Sequence, residues 1–245
     1  MPKFEVCFSP VLFSLIEVNE PTIIVVIDVL RATTSFCTAF DFGVEAIVPL
    51  DSIEKAIEYK NNGFIVAAER DGLKPDFADL SNSAFDFMNT ELTGKTIYYT
   101  TTNGTKAIKL GENKGTVAIG SFLNLPALAN WLTEQGKNVI VLCAGWKDNY
   151  CIEDTLCAGA LADLVISQGK FLIESDAALA SLLLWNSNSK DPETLITRSA
   201  HYLRLKQLGF ENVLKYSLQI GKSHTVPVLI EGKLLDLNKS KKQNI

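Results

Sequence analysis

Five consecutive apolar β-formers, Ile23 to Ile27, run straight into Asp28. A strand with one face in water alternates apolar and polar residues, whereas a strand this uniformly apolar needs cover on both faces. That requirement points to a largely parallel or mixed sheet flanked by helices, an α/β fold. FEVCF, AIVPL, FIVAA, TIYYT, TVAI and NVIVLCA have the same character. Between them, residues 52–61 carry Ile53, Ala56 and Ile57 at helical spacing, and residues 123–135 do so through Leu125, Leu128, Ala129 and Leu132.

Beyond Cys143 the chain turns more helical. Residues 153–168, 174–186, 192–208 and 211–220 read as helices, and VPVLI and KLLDL as two closing strands. No Pro/Gly/Ser-rich linker intervenes, so residues 1–238 are expected to form one domain, followed by a polar, frayed tail at 239–245.

Composition narrows the function. The 245 residues are 47% hydrophobic, enough for a sizeable core, and carry 23 basic against 28 acidic side chains, net −5. No Lys/Arg patch is interleaved with aromatics, which argues against a nucleic-acid groove. The first residues lack a signal-peptide pattern and no apolar run reaches membrane-spanning length, so a cytoplasmic chain without a membrane partner is expected. Five scattered cysteines without a CxxC pair give neither a disulfide framework nor a zinc knuckle, and two distant histidines make His-rich metal chemistry unexpected. Gly221-Lys222-Ser223 resembles the end of a P-loop, but Tyr216 stands where the loop needs glycine.

In parallel α/β sheets, ligands bind where strands end and helices begin, because the N–H groups of a helix start are unpaired. Four such junctions here are polar: Asp28 through Arg31 to Thr33, Thr34 and Ser35; Glu69-Arg70; Thr100 through Thr102, Asn103 and Gly104 to Thr105; and Gly145-Trp146 leading to Glu153 and Asp154. Each alone could be a helix cap. Together they supply hydroxyls and N–H groups for phosphate oxygens, Arg31 and Arg70 for anions, and Asp28, Glu69, Glu153 and Asp154 as hard oxygen ligands for Mg²⁺. Cys157, on the helix that carries the last two acids, reads as a small buried residue and not as a nucleophile.

DVLRATTSF, ERDGLKP followed by LSNSAFDF, TTNGTKA, and CAGW followed by IEDTLCAGALAD resemble, in order and spacing, the motifs of the 2-phosphosulfolactate phosphatase family of coenzyme M biosynthesis. The resemblance extends over residues 5–235, with departures at Phe77-Ala78-Asp79 and Ser83-Ala84 and a looser match at 217–227. It implies a Mg²⁺-dependent phosphatase on an α/β fold that converts 2-phospho-3-sulfolactate, or a related 2-hydroxy acid phosphate ester, to 3-sulfolactate and phosphate. On that reading Asp28, Arg31, Glu153 and Asp154 are catalytic, and Asp28, Glu69, Glu153 and Asp154 hold the metal. Arg31, Thr33, Thr34, Ser35, Arg70, Thr102, Asn103, Gly104 and Thr105 bind a small anionic substrate. A non-catalytic binder of a phosphorylated acid, or another metal-dependent hydrolase or lyase, would use the same residues, and a homodimer stays open.

Overall fold

The computed structural model describes residues 1–238, so the polar tail expected from Lys239 lies outside the described residues. Ten strands form one sheet: β1 (Lys3–Cys7), β2 (Thr22–Ile27), β3 (Ala46–Pro49), β4 (Ile65–Ala68), β5 (Thr96–Thr100), β6 (Thr116–Gly120), β7 (Asn138–Cys143), β8 (Leu172–Ile173), β9 (Pro227–Ile230) and β10 (Lys233–Asp236). Around it lie α1 (Pro10–Ser14), α2 (Ala32–Asp41), α3 (Ile53–Asn61), α4 (Gly104–Glu112), α5 (Leu125–Gln135), α6 (Ile152–Ser167), α7 (Asp176–Asn188), α8 (Pro192–Ile196), α9 (Ala200–Gln207) and α10 (Asn212–Ser217).

The strand order is β4-β5-β3-β10-β9-β6-β2-β7-β1-β8. All six residues of β2 are buried, and successive side chains leave opposite faces. Ile23, Val25 and Ile27 enter a core with α5, α6 and α7, while Ile24 and Val26 enter a second with Phe13, α2 and α4. Strand β7 divides the same way, Val139, Val141 and Cys143 against Ile140 and Leu142. A third, smaller cluster around Val66 and Ala68 takes in Ala56 of α3.

The sheet is mixed for a specific reason. Strands β4, β5 and β3 form one parallel block, and β6, β2, β7, β1 and β8 another. The β9–β10 hairpin lies between them, antiparallel to both neighbours, so the two blocks run in opposite senses. Its turn at Glu231 and Gly232, both at positive φ, matches the twist of a hairpin. Each junction to a block is a single bridged pair, Leu234 with Ile47 and Val228 with Ala118. The carboxyl ends of β2 and β4, one from each block, nevertheless meet, since Asp28 and Glu69 line one crevice.

The expected helix over 192–208 is two helices. Ser199 caps α9, its Oγ accepting the Tyr202 N–H at 3.1 Å, and this local bond outcompetes continuation of the helix. The helix expected over 123–135 begins with a 3₁₀ turn, Phe122–Asn124, before α5. No helix among the described residues is long and apolar enough to cross a membrane.

Candidate active site

The carboxyl ends of β2 and β4 and the starts of α2, α4 and α9 surround a narrow crevice of about 20 Å³, lined by Asp28, Leu30, Arg31, Glu69, Gly72, Asn82, Asn103, Trp146, His201, Arg204 and Leu205. Asp28 follows β2 directly and is 6% exposed. Its backbone is locked to α2: its N–H donates to Thr33 Oγ1 at 3.1 Å, and that hydroxyl donates to Asp28 O at 2.9 Å. The hydrogen bond its carboxylate accepts among the described residues is a long one, 3.4 Å from the Ala32 N–H. Burial pushes its pKa up to about 6, with Glu69 and Glu153 raising it further and His201 opposing.

Arg31 is 2% exposed. Its Nη2 donates to Gly72 O at 2.6 Å and its guanidinium lies over the Phe210 ring at 4.1 Å, but Nη1 has no partner among the described residues. A buried donor left open costs about 1–3 kcal/mol, more when charged, so an anion at Nη1 would be strongly favoured. Burial also lowers the pKa of this arginine.

The hydroxyls expected to meet phosphate are spent within the fold. Thr33 ties the Asp28 turn, Thr34 donates to Val29 O at 2.9 Å and lies 3.1 Å from Ser121 Oγ, and Ser35 donates to Asn82 O at 3.1 Å. Thr105 and Thr101 cap each other reciprocally at the start of α4. The Arg70 guanidinium is turned aside to Glu69 O and Thr100 Oγ1, and it does not line the crevice.

Glu69 closes the end of β4: its carboxylate accepts from the Gly72 N–H, the Thr102 N–H at 3.1 Å and the Thr102 hydroxyl at 3.3 Å. Asn103 accepts from the Lys147 N–H at 3.0 Å. Gly104 is required by close approach, since a Cβ there would stand 2.7 Å from Ala32 Cβ and 2.8 Å from Asp28 Oδ2. Asp154 accepts from the Val29 N–H through Oδ1 and the Gly145 N–H through Oδ2, and burial first, then Glu153 and Asp28, holds its pKa well above the usual carboxylate range. Glu153 Oε1 meets His201 Nδ1 at 2.6 Å, and neither Glu153 nor Asp154 lines the crevice. Of the four acids expected at a metal, Asp28 and Glu69 are the two that face the crevice.

Cys157 is fully buried, which raises its thiol pKa well above the ordinary value, as suits a packing residue.

A family model described as 2-phosphosulpholactate phosphatase matches residues 8–232. The chain belongs to the 2-phosphosulpholactate phosphatase family. Curated relatives each carry the description "probable 2-phosphosulfolactate phosphatase". The protein of Carboxydothermus hydrogenoformans is 36% identical over 95% of this chain and 96% of its own length. That of Thermotoga maritima is 36% identical over 85% and 89%, and that of Caldanaerobacter subterraneus subsp. tengcongensis 34% over 85% and 88%. The matched span takes in all four polar strand ends and also α9, which the sequence reading left without a functional residue.

From α9 come His201 and Arg204. Arg204 donates to Asp71 O at 2.7 Å and lies over the Trp146 ring at 4.8 Å, and Trp146 stacks on His201 with ring centres 6.1 Å apart. The available signal was Ser199, a capping residue three before Tyr202, which starts a fresh helix and turns both side chains onto the crevice.

Proposed function

We propose that the protein is a Mg²⁺-dependent phosphatase that hydrolyses 2-phosphosulfolactate to 3-sulfolactate and phosphate. The observation that carries this reading is the unpartnered Nη1 of buried Arg31 in a crevice whose wall also holds Asp28 and Glu69. An anion-seeking donor beside two carboxylates suits a substrate that brings both negative charge and a bound cation. Asp28 and Glu69 would hold Mg²⁺, since carboxylate oxygens are the ligands a hard cation takes, and two buried acids repel each other without one. Bound there, Mg²⁺ supplies charge neutralisation and polarisation of a phosphoryl oxygen.

The chain's own residues do the positioning. Arg31 binds one acidic group of the substrate through its open fork, and Thr102, Asn103 and Gly104 bring the start of α4 beside Asp28. Arg204 supplies a second guanidinium on the crevice wall, suited to the distal acid of a substrate with several acidic groups.

Phosphate release from a panel of phosphorylated 2-hydroxy acids, with and without a 3-sulfonate, tests the reading. The expected order places 2-phosphosulfolactate first. Tight binding of the panel without release of phosphate would make the protein a carrier or sensor.

A further inference from the structure

We infer that His201 is the acid that protonates the departing C2 oxygen, with Glu153 as its positioning residue. The inference rests on the phosphatase reading above and adds to it a residue that supplies the proton. His201 Nδ1 lies 2.6 Å from Glu153 Oε1 and 3.8 Å from Cys151 Sγ. With Nδ1 as the donor and Glu153 as the acceptor of this bond, the proton available for transfer is the one on Nε2. His201 lines the crevice, which Glu153 and Cys151 do not, and with Nδ1 engaged by Glu153 the ring nitrogen left for a substrate is Nε2. Trp146 stacks against the ring with planes 13° apart and fixes its orientation from the side. His201 and Asp28 line the same crevice, and His201 opposes the rise that burial imposes on the pKa of that carboxyl.

Among the described residues, Cys151, Glu153 and His201 also form the one cluster with metal-ligand spacing. In that cluster Nδ1 is engaged with Glu153 Oε1, whereas Glu153 Oε2 has no hydrogen-bond partner among the described residues. A buried acid hydrogen-bonded to a histidine whose far nitrogen reaches a substrate space is an arrangement suited to proton transfer.

A P–O bond forms to water as the P–O bond to C2 breaks. The Nε2 proton passes to the C2 oxygen, which leaves as a hydroxyl. Water gives up one proton to solvent, and solvent recharges the imidazole. An alkoxide is a poor leaving group, so it needs this proton. The p-nitrophenolate ion leaves without it.

The test is therefore a comparison of leaving groups. His201→Asn is assayed on 2-phosphosulfolactate and on p-nitrophenyl phosphate, each against wild type. The expected result is a fall in kcat of about 10²–10³-fold on the alkyl ester with KM little changed, and less than ~10-fold on the aryl ester. Glu153→Gln keeps an acceptor for Nδ1 and is expected to lose less on the alkyl ester than His201→Asn, with the same selectivity. Both substrates are read in one sample, so partial unfolding lowers both rates alike and leaves their ratio unchanged. Equal losses on the two esters, or no loss on the alkyl ester, would overturn the role of His201 while leaving the phosphatase reading in place. Wild-type protein that hydrolyses neither ester would remove both.

Discussion

Asp154 Oδ1 accepts the Val29 N–H at 2.9 Å, a bond between the first turn of α6 and the residue after Asp28, 125 positions away in the chain. Oδ2 takes the Gly145 N–H at 3.0 Å, so one carboxylate fastens the ends of β2 and β7 together. Asp154→Ala leaves two buried N–H groups open and is expected to cost ~2–6 kcal/mol in denaturant unfolding, at about 1–3 kcal/mol for each. Asp154→Asn keeps one acceptor and loses less. Because Asp154 is spent on the backbone, Asp154→Asn should keep the wild-type rise in Tm on adding Mg²⁺, whereas Asp28→Asn should lose it. A normal rise in Asp28→Asn with none in Asp154→Asn would put the metal at the wrong acid.

Arg31→Ala is expected to lower kcat/KM by roughly 30- to 1,000-fold, the scale of losing a desolvated guanidinium contact to an anion at about 2–4 kcal/mol. Arg31→Lys should recover only part of it, because a lysine cannot reach Gly72 O and a substrate anion with the same planar fork. The control is Arg198, which the structure places away from the crevice lining, and Arg198→Ala should keep wild-type kinetics.

Gly104→Ala forces a methyl against Ala32 Cβ and Asp28 Oδ2, both held by α2 and the turn before it. Overpacking of this kind typically costs ~1–3 kcal/mol. The loss should appear in both the unfolding midpoint and kcat, since the atom displaced is the carboxylate itself. A variant as stable and active as wild type would show that the start of α4 does not press on Asp28.

The fold was legible where hydrophobicity is strong and local. The uninterrupted run Ile23 to Ile27 forecast a strand buried on both faces, and its neighbours are β6 and β7, both parallel to it. The opposed sense of the β3-β4-β5 block was not legible, because it depends on a hairpin at the end of the chain inserting between two blocks made earlier. At the site, the acids at strand ends were visible as residues out of place in apolar runs. Their duties were not: a carboxylate that joins two strand ends and one that faces a crevice look alike in sequence, and only pairing with Val29 and Gly145 separates Asp154 from Asp28. His201 stayed hidden because its helix read as one continuous amphipathic segment from 192, with the cap at Ser199 unremarked.

In metal-free protein, the stability contributed at Asp28 should fall as pH rises. Its folded pKa is raised from 3.8 to about 6, chiefly by burial, with Glu69 and Glu153 adding to the effect and His201 opposing it. The folded state therefore binds the proton more tightly than the unfolded state. No penalty exists below about pH 4, and it is fully present above about pH 6. Chelated Asp28→Asn should be more stable than chelated wild type at pH 8, by roughly 1–3 kcal/mol from a difference of about two in pKa, and the gap should close by pH 4. A gap that widens toward acid would reverse the sign and contradict the burial of this acid.

The most direct test of the account is phosphate release from 2-phosphosulfolactate by the same protein preparation in Mg²⁺, after exhaustive chelation, and after Mg²⁺ is restored, alongside Asp28→Asn. The account predicts turnover in Mg²⁺, its loss on chelation, its return on restoration, and little turnover by Asp28→Asn at any Mg²⁺ concentration. Full turnover after chelation, or wild-type turnover by Asp28→Asn, would contradict it.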